Sequence, residues 1–191
     1  MTEPELFDEA CDQVTAVVLR AAGADLTLPT PCGWDLGTLV NHFAGTTAAL
    51  ARVGARLPLD PDDPWGAGTE VTTADWPERL STQLADLVSS WSAPEGWQGT
   101  VTASGPEMPA IALGEMALAE VVLHGWDLAR ATHQELQVSP ALGAEVFRSV
   151  AGSADLGRQM GAYGPAVEVA ADASDLDRAL GAAGRDPGWP R

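Results

Sequence analysis

The segment Leu113-Gly114-Glu115-Met116-Ala117-Leu118-Ala119-Glu120-Val121-Val122-Leu123-His124-Gly125-Trp126 is almost wholly apolar, with Glu120 and His124 set in its second half. A helix that is apolar nearly all round is buried on every side, so the rest of the chain has to pack around it. Glu120 and His124 are four apart and share one helical face, with Cβ atoms about 6 Å apart. A carboxylate in such a helix must be paired, protonated or bound to a cation.

The surrounding sequence supplies helices to do the packing. Leu6, Ala10, Val14, Val17 and Ala21 follow helical spacing and predict a first helix over roughly residues 3–22, stopped near Gly23. After the turn Thr27–Trp34, Asp35 is a good N-cap for a second helix, with Leu36, Leu39, His42/Phe43, Thr46 and Leu50 facing inward. Residues 57–74 form a Pro/Asp/Gly loop of a length often found in lids or mobile segments. A third helix starts near Asp75 with Pro77 in its first turn and buries Leu80, Leu84, Leu87/Val88 and Trp91. Residues 94–109 read as irregular, with a short extended piece at 99–103. The apolar helix runs from about 110 to 132. Ser139 and Pro140 open a fifth helix that continues to about Met160, and a short helix spans about 174–183. The expected architecture is all-α, one domain over 1–191, built on a bundle of four long helices with long loops and a short C-terminal helix.

All ten basic residues are arginine, and the net charge is −17. Such a surface repels phosphate backbones and anionic membranes, so neither nucleic acid nor membrane is an expected partner. No stretch reaches the ~18 uncharged apolar residues of a membrane span. The acidic start Met1–Glu5 lacks the form of a secretory signal, so a cytoplasmic location is expected. Cys11 and Cys32 form no CxxC and read as small buried or half-buried residues. The residues leave the oligomeric state open, with a homodimer among the alternatives.

His42, on the inward stripe of the second helix, completes a set of two histidines and one carboxylate with Glu120 and His124. Such a set leaves coordination positions open. Three protein ligands plus water is the arrangement of catalytic zinc, and the same atoms accept iron, nickel or manganese. The alternative is a buried Glu–His ion pair with His42 as a hydrogen-bonded core residue. Against it, the apolar helix offers no arginine before Arg130. Asp127 is either an acceptor for the His124 ring or a solvated acid. His133 is expected to be exposed. Trp34, Trp91 and Trp126 read as core or bundle-end packing, and Trp65 as a wall facing substrate.

Thr30-Pro31-Cys32-Gly33-Trp34-Asp35-Leu36, continued by Leu39-Val40-Asn41-His42, resembles the opening of the DinB-like superfamily that includes the mycothiol-dependent maleylpyruvate isomerases. So does Glu120-Val121-Val122-Leu123-His124-Gly125-Trp126-Asp127-Leu128-Ala129-Arg130-Ala131-Thr132. The closing Gly184–Trp189 resembles an actinobacterial branch of it. The resemblance implies a helical bundle with a divalent metal at one end of its core. The isomerase branch's ligands are His, Glu and His, which fall on His42, Glu120 and His124. It also implies a low-molecular-weight thiol such as mycothiol as cosubstrate, activated for isomerisation or S-transfer. His133 departs from the glycine usual in this branch. The chain leaves little room for the isomerase's separate second domain, which shifts the expectation toward thiol transfer to a small electrophile. A non-catalytic metal-binding sensor or interaction domain is the second expectation. A degenerate bundle, whose polar residues only satisfy one another, is the third.

Overall fold

The computed structural model describes residues 3–190; Met1 and Thr2 of the acidic start, and Arg191, lie outside the described residues. Six helices follow in chain order: α1 Glu3–Arg20, α2 Leu36–Gly54, α3 Trp76–Trp91, α4 Ala110–Ala131, α5 Pro140–Gln159 and α6 Asp175–Ala182. The local chemistry sets their ends. The Asp35 carboxylate accepts from the Thr38 amide at 2.7 Å at the start of α2. Ser139 Oγ accepts from the Leu142 amide at the start of α5, and Pro140 follows as the first helical residue. Ser174 does the same for α6.

α1 packs on α3 and α4, and α2 packs on the same two partners, so these four helices close a ring. α5 lies outside it, against α4 and α6. α4 therefore meets α1, α2 and α5 at once, which accounts for its apolar character on nearly every side. At one end of the ring Phe7, Trp91 and Trp97 pack together, with centroids 5.2 to 6.3 Å apart. The Trp91 indole donates to the Leu50 carbonyl at 3.0 Å, and Trp97 donates to the Trp91 carbonyl at 2.8 Å. Gly114 of α4 lies directly beneath Trp97, where a side chain would collide with the indole.

The stretch 94–109 is more ordered than its sequence suggests. A short 3-10 turn, Pro94–Trp97, leads into a small antiparallel hairpin of β1 Thr100–Thr102 and β2 Glu107–Pro109. The long loop before α3 is also pinned. Asn41 Oδ1 accepts from the Val71 amide at 2.8 Å, and its Nδ2 donates to Glu70. Gly45 of α2 lies directly against the backbone of Gly66, an approach that no Cβ would permit. Arginines tie other loops down. Arg52 donates to the Pro58 carbonyl, Arg56 to three carbonyls between Gly96 and Thr100, Arg130 to Trp189 and Arg158 to Ala182.

α4 ends with His133 exposed and at φ 56°, a left-handed position that glycine enters without strain. His133→Gly is expected to stabilise the protein by about 0.5–1 kcal/mol, the left-handed penalty less glycine's entropic cost. A denaturant titration checks this; equal or lower stability in the variant contradicts it.

Candidate metal centre

His42 and Glu120 face each other across the α2–α4 contact, with His124 one turn further along α4. Glu120 Oε2 lies 3.2 Å from His124 Nε2 and 3.7 Å from His42 Nε2. All three ligand atoms fall within 4.8 Å of one another. Ligands around a metal at bonds of ~2.1 Å stand about 3–3.5 Å apart, so the spacing suits a shared ion. Glu120 Oε2 is buried and has no hydrogen-bond partner among the described residues. The nearby imidazoles crowd it without an aligned hydrogen bond. A cation at the point where the three side chains converge would satisfy it. The side chains are 37% exposed at His42, 20% at Glu120 and 7% at His124, so the centre opens toward solvent on the His42 side.

The turn before α2 shapes the mouth. Thr30 is buried, and its hydroxyl donates to the Trp34 carbonyl at 2.8 Å while its amide donates to the same oxygen. Gly33 takes φ 88°, which closes the turn. This loop lays the Trp34 ring against His42 at 4.9 Å and roughly parallel to His124 at 6.0 Å. Trp34 is 40% exposed and walls the centre, so of the two expected placements it takes the bundle end and not the core. Its indole is amphipathic, and the loop holds it between the bundle end and water. Trp65, expected as the substrate-facing wall, instead donates its indole N–H to Ser104 Oγ at 2.8 Å and ties two loops together. Trp91 and Trp126 are buried as expected.

Asp127 is fully buried, so of the two readings the acceptor role holds. Its Oδ2 lies 3.1 Å from His124 Nδ1 and 3.0 Å from the Arg185 guanidinium. Burial pushes the Asp127 carboxyl up, but the His124 contact and the Arg185 charge together hold it below its ordinary value. An ionised carboxylate can only accept, so Nδ1 carries the hydrogen, and a neutral His124 presents its lone pair at Nε2. Burial likewise raises Glu120, and the two histidines reverse that and hold it well below the usual carboxylate range. For His124, burial lowers the value, and Asp127, Cys32 and Glu120 together raise it well above the ordinary one.

Arg185 and Tyr163 escaped the sequence reading, and Cys32, half-buried as expected, was not read as a neighbour of the centre. Cys32 Sγ is 3.1 Å from Thr30 Oγ1 and forms a second cluster with His124 and Asp127. That cluster is unsuited to a cation, because the Arg185 guanidinium pairs with Asp127 and its positive charge would oppose one there. Tyr163 packs over Gly157, and its hydroxyl is raised by burial, lowered by Ser153 and raised again by the charge of Glu120. Cys11, by contrast, is buried in α1 as expected, and burial pushes its thiol far up.

The family model of the mycothiol maleylpyruvate isomerase N-terminal domain matches residues 7–129, well over half the chain. The chain belongs to this family. The segment takes in all three candidate ligands, and it holds Cys32, Trp34 and Asp127 as well. Rv0738 and MT0763, from two strains of Mycobacterium tuberculosis, are each 27% identical to it over 145 residues, 75% of either chain. Among solved structures, the mycothiol-dependent maleylpyruvate isomerase matches with a TM-score of 0.59 and a histidine-to-alanine mutant of it with 0.62. Both are 18% identical and cover 91% of this chain and 78% of theirs, so the likeness shows the shared fold. The fold likeness, at 91% of the chain, reaches beyond the family segment. Among the described residues, no helix is long and apolar enough to cross a membrane.

Proposed function

We propose that the protein is a metal- and thiol-dependent transferase or isomerase, with His42, Glu120 and His124 holding a divalent ion and mycothiol as cosubstrate. The observation that carries this reading is Glu120 Oε2, buried between two imidazoles at 3.2 and 3.7 Å without a hydrogen-bond partner. Zinc is the first choice of ion, and nickel, iron or manganese fit the same donor atoms. Such an ion supplies an electrophilic centre that favours the thiolate form of a bound thiol. The chain's own residues set the rest. The exposed flank of His42 leaves room for a thiol and a small electrophile to approach. Trp34 covers the imidazoles and sheds water from that side. Asp127 fixes the His124 ring from behind.

A free thiol of pKa ~8.5 is only a few per cent ionised at pH 7, so full ionisation raises the nucleophile concentration by about 30-fold. Zinc-loaded protein mixed with mycothiol and a chlorodinitrobenzene is therefore expected to conjugate them about 10-fold or more faster than mycothiol alone, since a more acidic thiol is a weaker nucleophile. The Glu120→Ala variant is expected to lose the gain. Equal rates with and without the protein remove the catalytic claim and leave a metal-binding sensor or interaction module as the better account.

A further inference from the structure

We infer that Arg185 is a positioning residue for the metal centre: its grip on Asp127 fixes the orientation and tautomer with which His124 presents Nε2. This rests on the metal reading above. Asp127 has two partners among the described residues, His124 Nδ1 and Arg185, and both use the same oxygen. Its other oxygen, Oδ1, is buried and unpartnered. Without Arg185, and with a metal on Nε2 leaving the His124 ring neutral, the buried carboxylate would keep no countercharge beside it, a costly arrangement that favours a different rotamer or a different partner. The guanidinium supplies the countercharge and selects which oxygen faces the ring.

The tail is built to aim this side chain. Arg185 is 5% exposed, although it lies only a few residues from the end of the described chain. Gly184, at φ 83°, sits so close to the backbone of Gly164 that a Cβ would overlap it. The Arg185 amide donates to the Leu180 carbonyl at 2.8 Å, and its Nη1 donates to the Ala183 carbonyl at 3.0 Å. Further on, Arg130 holds the Trp189 carbonyl. The backbone is thus pinned on both sides of Arg185, and its guanidinium reaches inward to Asp127, 58 positions earlier in the chain.

The test is zinc affinity by competition with a chromophoric chelator, on wild type, Arg185→Gln, Asp127→Asn and the double variant, with circular dichroism to establish folding. Loss of a group that orients a ligand costs about 10–100-fold in affinity, and that loss is expected for Arg185→Gln. Because Arg185 acts through Asp127, adding Arg185→Gln to Asp127→Asn is expected to change affinity less than 2-fold. The double variant buries no unpaired charge and serves as the fold-safe form; it is expected to bind about 10–100-fold more weakly than wild type. The chain has three histidines, so nitrogen-15 histidine spectra resolve each ring. Zinc-loaded wild type is expected to show His124 bound at Nε2 and protonated at Nδ1, and Arg185→Gln to lose that single state. Arg185→Gln or double-variant affinity within 2-fold of wild type, or losses that simply add, would overturn the inference alone. Wild type that takes up no zinc overturns the metal reading beneath it.

Discussion

Zinc added to about a thousandfold above its Kd is expected to raise the melting temperature of wild-type protein by about 8–16 °C, and His124→Ala is expected to show none of that rise. The magnitude follows from linkage. A ligand that binds only the folded state at that excess adds about 4 kcal/mol, and a chain of this size gains about 2–4 °C per kcal/mol. His124 is the right residue to remove because it is the most buried of the three ligands and the one held from behind by Asp127. His133→Ala is the control, an exposed histidine outside the centre. It should keep the full shift. Thermal melts of metal-stripped protein with and without zinc give the answer. A shift of equal size in wild type and His124→Ala would place any bound zinc elsewhere.

Trp91→Ala is expected to cost about 3–5 kcal/mol of stability, lowering the melting temperature by about 6–20 °C. Trp91 is fully buried, packs against Phe7 and Trp97, and carries a hydrogen bond to Leu50. Its removal leaves a cavity at the end of the ring and takes the indole hydrogen bond from the Leu50 carbonyl. Trp34→Ala makes the informative contrast. That ring is 40% exposed and touches the metal centre, so its loss should leave the stability of metal-free protein within about 0.5 kcal/mol while weakening the centre's function. Denaturant unfolding of both variants checks the pair. Similar losses in the two would mean that Trp34 belongs to the core after all.

The helices were legible because each carries its own evidence. Asp35, Ser139 and Pro140 mark starts, and the all-round apolar character of α4 reveals its place at the meeting of α1, α2 and α5. Candidate ligands on helices were legible for the same reason, since i,i+4 spacing puts Glu120 and His124 on one face before any packing is known. Residues carried by turns had no such period. Nothing in the pattern around Trp34 separates a core indole from one folded over the mouth; that depends on the Thr30 hydroxyl and the positive φ of Gly33. Arg185 could have been sought. Asp127 is the third acid of an apolar helix and lies near its end, and a buried acid calls for a cation. With no lysine in the chain, that cation had to be an arginine. What the sequence lacked was any way to choose among them. The hairpin at 100–109 was half legible: the extended piece at 99–103 takes in β1, while β2 went unread because three residues carry too little pattern.

The arginines that fasten loops or pair with carboxylates are all those the structure describes, Arg20 and Arg79 apart. Arg52, Arg56, Arg130, Arg158 and Arg185 all point their guanidinium groups at backbone carbonyls, and Arg148, Arg158, Arg178 and Arg185 pair with carboxylates. A carbonyl is neutral and leaves the guanidinium's charge in place, so the field at a distance is set by the excess of 27 acids over ten arginines, a net formal charge of −17. An anionic electrophile diffusing toward His42 would climb a repulsive potential and meet the protein slowly in dilute buffer. Its encounter rate would quicken with added salt, as the screening length shrinks from ~10 Å at 0.1 M to ~3 Å at 1 M. An uncharged electrophile would arrive at the same pace in either medium. The excess of acids over arginines thus acts as a long-range filter on which molecules reach the centre soonest.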